Sequence, residues 1–337
     1  MFTPPHTLVL GATGSIGYAI TQALLKRQWP VTLLVRNRAK AQSLFAGTPG
    51  LTILDGDVQD AARVADAAAC ADFIVHAVNY PYHQWTGNMA RATQHVIDAA
   101  SRRPGAPATI VFPGNIYNFG LPDGPIRPDT PPAPITRKGQ LRVELEATMT
   151  RAAEAGRCRL LTVRLPDFWG PNVLNAGIKP IFMAALAGKP MPWLIDADRP
   201  HQAVYTVDAA EVTVRLMARD WQPDAANQPA TQVWHYGGTT LPSMRSWFGA
   251  IAQLTGHRPR LLVYPGWLFP VMGLVDPMMG EVAEMRYLYR NTVLLDDSLT
   301  RAALPDFQPT PMRQAQLDTI TWFSQTQLGR PFVPALD

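Results

Sequence analysis

Gly11, Gly14 and Gly17 stand three apart, between the apolar run Leu8-Val9-Leu10 and a segment where Ile16, Ala19, Ile20, Ala23 and Leu24 recur at helical spacing. A glycine turn between a strand and a helix lets the backbone approach a ligand closely. It also aims the first N–H groups of the helix at any anion seated there. With Thr13, Ser15 and Ile16 completing the turn, the chemistry it fits is pyrophosphate binding, so a dinucleotide site is expected; a plain structural turn is the bland alternative. A second strand over 31–35 ends at Arg36, with Arg38 and Lys40 just beyond. An acidic residue normally closes this strand when the ribose carries a free 2′-hydroxyl, whereas a guanidinium suits a 2′-phosphate. Arg36 and Arg38 therefore favour NADP(H), with NAD(H) as the alternative and a solvent-facing basic turn as the bland one.

The elements that must position this turn follow in order. A third strand over 51–54 leads into Asp55, Asp57 and Val58; an alanine-rich helix covers 61–71; a fourth, largely apolar strand covers 72–78; a helix covers 88–100; a fifth strand covers 109–112. Strands alternating with helices predict a Rossmann-like α/β fold with a doubly wound parallel sheet. Ligands of such sheets lie beyond the carboxyl ends of the strands, here after Leu10, Val35, Val78 and Phe112. Two of these exits are rich in reactive side chains: Tyr80, Tyr82, His83 and Trp85 after the fourth strand, and Asn115 and Tyr117 after the fifth. Six prolines among residues 121–134 require an irregular loop. A helix over 137–156 turns Leu141, Leu145 and Met149 inward and leaves Arg142 and Glu146 exposed. A sixth strand covers 160–165. Beyond it the alternation fades, with a strand over 203–208 before a helix over 209–218, a strand over 232–236, and helices at 244–255, 282–289 and 312–326. Residues 1–165 thus form a dinucleotide-binding domain, with returning segments near 203–218 and 231–238, and 166–337 form the smaller, mostly helical substrate-binding portion.

Bulk properties narrow the function. Thirty basic against 26 acidic residues give a net charge of +4, with no basic run to argue for nucleic acid. Two cysteines, Cys70 and Cys158, make neither a disulfide framework nor a metal cluster, and Cys70 should pack as a small apolar residue. The start of the chain lacks a basic n-region and an apolar h-region, so a cytoplasmic protein without a secretory leader is expected. The uncharged stretch 261–275 is broken by Pro265, Gly266, Pro270 and Gly273, which suits a buried pocket wall better than a membrane anchor. Trp267, Leu268, Phe269 and Met272 hint at an apolar or aromatic small-molecule ligand, or equally at core.

Taken together, the residues resemble an extended short-chain dehydrogenase/reductase of the NAD-dependent epimerase/dehydratase kind. The resemblance runs over most of the chain: 11–17; Asp57-Val58; Asp72-Phe73-Ile74-Val75-His76; Asn88 and Thr93; 164–171; Val204-Tyr205-Thr206-Val207-Asp208; and 297–308. It implies that 11–17 bind the pyrophosphate, that Asp57 and Val58 flank the adenine, and that Ala77, Val78 and Asn79 lie beside the cofactor. It also implies that Asn88 belongs to the catalytic group, with helix packing as its other reading, and that the protein forms a homodimer through the helices after the fourth and fifth strands. The substrate pocket then takes Tyr80, His83, Trp85, Asp167 and Trp169.

One departure matters. The family carries a serine or threonine after the fifth strand and a Tyr-x-x-x-Lys on the next helix. Here the strand leads to Pro113-Gly114-Asn115, and, taking Glu144 as the register mark, Thr136 and Gln140 stand where tyrosine and lysine belong. A threonine hydroxyl is a far poorer acid than a phenol of pKa about 10. Three accounts stand open. The acid has moved to Tyr117, with Asn115 beside it and Lys138 or Arg137 lowering its pKa; the chemistry needs little proton donation; or the protein binds cofactor without turnover, as a sensor. For Tyr117 a packing role, and for Lys138 a solvated one, remain equal alternatives.

Overall fold

The structure, a computed structural model, describes residues 4–219, 229–269, 280 and 283–335. In chain order its elements are β1 (Thr7–Leu10), α1 (Ser15–Lys26), β2 (Val31–Val35), α2 (Arg38–Leu44), β3 (Leu51–Asp55), α3 (Ala61–Ala68), β4 (Phe73–His76), α4 (Trp85–Ser101), β5 (Thr109–Gly114), α5 (Arg137–Glu154) and β6 (Arg159–Arg164). They continue with β7 (Asp167–Trp169), α6 (Lys179–Leu186), β8 (Met191–Leu194), β9 (His201–Tyr205), α7 (Thr206–Arg219), β10 (Thr231–His235), β11 (Thr239–Leu241), α8 (Met244–Leu254), β12 (Leu261–Tyr264), α9 (Tyr287–Arg290), α10 (Ser298–Ala303) and α11 (Met312–Leu328).

Seven strands form one parallel sheet in the order β10-β6-β5-β4-β1-β2-β3, the doubly wound arrangement the alternation predicts. Successive side chains on a strand point to opposite faces. Val9, Val75 and Val111 accordingly pack against α1 and α7, and Leu8, Leu10, Ile74 and Ile110 against α3, α4 and α5. Burying such a side chain is worth about 1.5–3 kcal/mol, which explains the near-continuous apolar runs of the central strands. Because β1 lies between β2 and β4, chain direction away from β1 reverses there. That switch point opens the crevice in which Gly11 follows β1 and Ala77 follows β4.

Residues beyond β6 build a third core of Trp169, Phe182, Trp193, Trp247, Phe248 and Phe323. Trp169, Trp193 and Trp247 are thus packing residues. A small fourth cluster, including Ile116, Phe119, Ile126, Tyr287, Leu288 and Leu295, ties the proline-rich loop to α9 and the segment after it. Ile126 bridges to Leu295, and the Gln202 amide bonds both the N–H and the carbonyl of Leu295.

Several expectations need correction. Arg142 is buried, at 7% exposure, against the Trp85 and Phe112 rings, and the Glu146 side chain is only 15% exposed because it pairs with Arg164. Cys70 is exposed rather than packed. Residues 261–264 form a strand beside β8, with Leu262 46% exposed rather than buried, and Trp267 is 66% exposed. Met272 and the rest of 270–279 lie outside the described residues, as does residue 282 of the helix expected at 282–289, whose last turn is α9. Among the described residues no helix is long and apolar enough to cross a membrane, and no cluster of three or more His, Cys, Asp or Glu could hold a metal ion.

Candidate active site in the crevice

The glycine turn is shaped by contacts that exclude any side chain. Gly11 has φ +83°, and a Cβ there would stand 2.4 Å from the Ala77 carbonyl oxygen; one on Gly17 would stand 2.3 Å from the Gly11 oxygen. Gly14 caps α1 without a side chain, no side chain bonds the cap, and the first turn carries no acidic residue. The opening N–H groups, from Ser15 onward, are therefore left for an external anion, which the positive end of the helix favours. This cradle fits a pyrophosphate. From the far side of the crevice Asn172, buried and left-handed at φ +59°, brings its amide within 3.4 Å of the Thr13 carbonyl and 3.5 Å of the Gly14 carbonyl. Sequence reasoning missed Asn172; an asparagine following Gly170-Pro171 is a turn signal, and nothing local says what it reaches.

Past β2, Arg36 is 70% exposed and only 4.0 Å from an Asp57 carboxylate oxygen, so its guanidinium is available to a ligand. Arg38 pairs with Asp55 at 3.0 Å. Asp57 accepts the Gln59 N–H, and Val58 is buried, its carbonyl bonded by His95. Arg36 and Asp57 thus meet at the exit of β2 and β3, whereas Ala77, Val78 and Asn79 leave β4 on the other side of Gly11.

Beyond Val78 the crevice holds a polar cluster. The hydroxyls of Tyr82 and Tyr117 are 3.2 Å apart. Lys138, 4% exposed, donates to Glu284 at 2.5 Å, and its ammonium lies 4.9 Å from the Tyr82 ring centre. Asp167 pairs with His201 at 3.1 Å, and the His201 ring stacks on Tyr289. Burial raises the pKa of Tyr117 well above the usual phenol value, with Tyr82 and the Asp167 charge adding to the effect. Burial also raises Tyr82, the Tyr117 hydrogen bond offsetting part of it. Asp167 pushes up Tyr287 and Tyr289 as well, though their burial does more. One carboxylate within electrostatic reach of four phenols marks a single tyrosine-lined site.

Of the expected residues, Tyr117, Lys138 and Asp167 come together here. The expected depression of the Tyr117 pKa by Lys138 or Arg137 does not occur. Lys138 is spent on Glu284, which also accepts the N–H of Arg137, and burial dominates the phenol. Lys138 is not a solvated lysine either. Asn115 acts on Tyr117 through the backbone, its side-chain oxygen accepting the Tyr117 N–H at 3.1 Å. Asn88 is turned to its own helix, donating to the Gln84 carbonyl at 2.9 Å. Tyr80 and Trp85 are core, the Trp85 indole bonding the Tyr80 carbonyl, and Trp169 packs on Tyr205 and Trp247. His83 is exposed and meets only Gln84 by hydrogen bond among the described residues. These aromatics are too large to leave in water, and the sheet faces claim them before the crevice does.

The register on α5 is also corrected. Thr136 is the helix N-cap, accepting the Gly139 N–H, and Gln140 reaches out to Glu144. Neither occupies the inward face. Lys138 and Arg142 do, four residues apart.

Against known proteins, residues 11–106 match the family model described as NAD(P)H-binding. The dTDP-6-deoxy-L-talose 4-dehydrogenase (NAD(P)(+)) of Kitasatospora kifunensis is 29% identical over 186 residues, 52% of this chain and 56% of that protein. The match thus spans about half of either chain. Among solved structures, the Bordetella bronchiseptica enzyme WbmH in complex with NAD+ superposes with TM-score 0.69 at 20% identity, over 96% of this chain and 99% of that one. The UDP-glucuronic acid 4-epimerase of Bacillus cereus, in complex with UDP-glucuronic acid and NAD, superposes with TM-score 0.74 at 16% identity, over 95% and 99%. At such identities the likeness is one of fold. Residues 11–106, with their glycine turn, are thus an NAD(P)H-binding segment, set in a parallel-sheet fold shared with these NAD-bound structures. This chain carries no phenol on α5 and gathers its phenols from the β4 and β5 exits and from α9.

Proposed function

We propose that the protein is an NADP(H)-preferring oxidoreductase acting on a small carbonyl, alcohol or activated alkene. The observation that carries this reading is the Tyr82–Tyr117 pair at the carboxyl ends of β4 and β5, on the same crevice as the glycine cradle. The cofactor, when bound, supplies or accepts the hydride. Tyr117 gives a proton to the substrate oxygen as hydride reaches the carbon, and Tyr82, hydrogen-bonded to it, shares the charge left behind. Phenols held above their usual pKa stay protonated at neutral pH and so are present as donors. Arg36, free of a close ion pair, holds the 2′-phosphate. The sequence relative and the solved structure named for nucleotide sugars favour a second reading, in which the same site handles a sugar linked to a nucleoside diphosphate.

The test is NADPH and NADH binding and oxidation by the purified chain, across simple carbonyls and enones on one side and UDP- and dTDP-hexoses on the other. The expected result is tighter NADPH binding, a preference that Arg36→Ala lowers about tenfold, as loss of one charged hydrogen bond should, and turnover on the first group. Turnover on the second group alone selects the nucleotide-sugar reading. Tight binding with no turnover on either makes the protein a cofactor sensor, and tighter NADH binding removes the NADP(H) preference.

A further inference from the structure

The exits of β5 and β6 lie side by side, since Gly114 and Arg164 are partners across the two strands. Tyr117 and Asp167 follow these partners at the same remove, three residues on in each case. Contacts join the two by a second route. The Tyr117 hydroxyl meets that of Tyr82 at 3.2 Å, and Tyr117 packs on the cluster that contains Tyr287. Tyr287 and Tyr289 share the single turn of α9, and the Tyr289 ring lies nearly parallel to that of His201, with centres 6.5 Å apart. His201 in turn bonds Asp167 at 3.1 Å. The buried Trp193 ring stands nearly perpendicular to both His201 and Tyr289, at 5.5 and 5.4 Å, and so fixes their orientation. Packing alone therefore gathers these tyrosines and one carboxylate, and the rings of Tyr82, Tyr117 and Tyr289 remain only partly buried.

The charges in this group are unequally accessible. The Lys138 side chain is 5% exposed and matched by Glu284, whereas the Asp167 side chain is 36% exposed and has only His201 as a hydrogen-bond partner among the described residues. Two further cations stand outside the group: Arg142 is buried against Trp85 and Phe112, and Arg137 is a solvent-facing charge, 86% exposed. The charge a ligand meets among the rings is thus a carboxylate. An aromatic face carries negative potential and attracts a cation, most strongly where water is excluded. The chain does this with its own ammonium, which Lys138 holds 4.9 Å from the Tyr82 ring centre. A ligand anion would meet like charge on Asp167, whereas an organic cation would meet a counter-ion and ring faces together.

We propose that the substrate carries an organic cation, an alkylated ammonium group, at the end remote from its reacting carbonyl, and that Asp167 and the tyrosine rings beside it bind that group. The carbonyl rests on the oxidoreductase reading; the cation site does not depend on turnover.

The test uses the full chain with NADP(H), or with NAD(H) if that proves the tighter cofactor. Methyl ketones of one chain length are compared, ending in trimethylammonium, in tert-butyl, which has the same shape without the charge, or in carboxylate. Calorimetry with the oxidised cofactor bound, which cannot reduce a ketone, gives dissociation constants, and oxidation of the reduced cofactor gives kcat and KM. The ammonium ketone should bind about 10- to 100-fold more tightly than the tert-butyl ketone, the reach of a desolvated cation–aromatic contact beside a counter-ion. The difference should appear in KM rather than in kcat. Asp167→Asn, which keeps the shape and removes the charge, and Tyr289→Leu, which removes a ring, should each lower that ratio. Equal binding of the ammonium and tert-butyl ketones, tighter binding of the carboxylate, or a preference that Asp167→Asn leaves intact overturns the proposal. The wild-type comparison decides by itself if neither variant folds. Turnover of the tert-butyl ketone with no preference for the cation defeats the proposal and leaves the oxidoreductase reading standing. A cation preference in binding with no turnover of any ketone upholds the cation site and defeats that reading.

Discussion

Tyr117 reaches the crevice because Asn115 turns the chain after β5, and it stays protonated because burial and the Asp167 charge disfavour its anion. A buried phenol of this kind stays in its acid form, although it is a weaker acid than a free phenol and its anion takes a proton back readily. The sign follows: a raised pKa keeps the acid form to higher pH, so carbonyl reduction should stay flat through about pH 10, where an unperturbed phenol would already be titrating. Tyr117→Phe should lower kcat by about 10²- to 10⁴-fold with little change in KM, the range for loss of a positioned acid. Tyr82→Phe, which leaves that hydroxyl in place and removes only its partner, should cost less. Steady-state kinetics from about pH 6 to about pH 10 read both. If Tyr117→Phe keeps the wild-type rate and profile, the proton comes from elsewhere.

At the scale of elements, α5 shows what sequence reasoning reached and what it did not. The parallel sheet, the glycine turn and the arginine at the β2 exit were legible because each is a local pattern: apolar strands in alternation, three glycines at fixed spacing, one residue at one strand end. The site beyond Val78 was not, since it joins side chains from β4, β5, α5, β7, β9 and α9, and only packing brings these together. The α5 register failed for a related reason. Glu144 and Glu146 are equally charged and two residues apart, and choosing between them needs the partner. That partner is Arg164 at the end of β6, 5% exposed, which bonds Glu146 at 3.1 and 2.7 Å and the Asn115 carbonyl at 2.7 Å. This one guanidinium locks β6, α5 and the β5 exit together. Glu146→Ala should therefore destabilise the protein by about 3–5 kcal/mol, the cost of leaving a buried cation uncompensated. Glu144→Ala, on the outer face, should change it by less than about 0.5 kcal/mol. Denaturant midpoints of the two variants make the comparison, and similar losses would restore the Glu144 register.

Among the described residues, buried positive charge sits on Lys138 and on arginines rather than on the buried histidines, and this shapes the response to acid. His76 ends β4 and His235 ends β10, both buried. His76 bonds Thr93 and lies near Arg142; His235 bonds the Ile126 carbonyl and lies near Arg164. Burial, then the neighbouring guanidinium, lowers each pKa from 6.5 to about 4. As pH falls through 6.5 the unfolded chain takes up these protons and the folded chain does not, so stability declines from pH 6.5 down to about 4 and levels off below. The full loss is on the order of 3 kcal/mol per histidine. Glu211 acts in a separate window. Its bonds to Arg27, and then to Arg215, overcome burial and hold its pKa at about 2, so its contribution is complete above 4.5 and is lost only as pH drops toward 2. Asp208, raised by burial, opposes the trend as pH falls toward 3.8. Urea midpoints taken between pH 6.5 and 4.5 isolate the two histidines. His76→Gln and His235→Gln should each remove about half of the slope there, whatever they do to stability at neutral pH. A wild-type profile that is already flat across this interval would mean the imidazoles protonate inside the fold, and the arginines beside them would then be no barrier to a second buried charge.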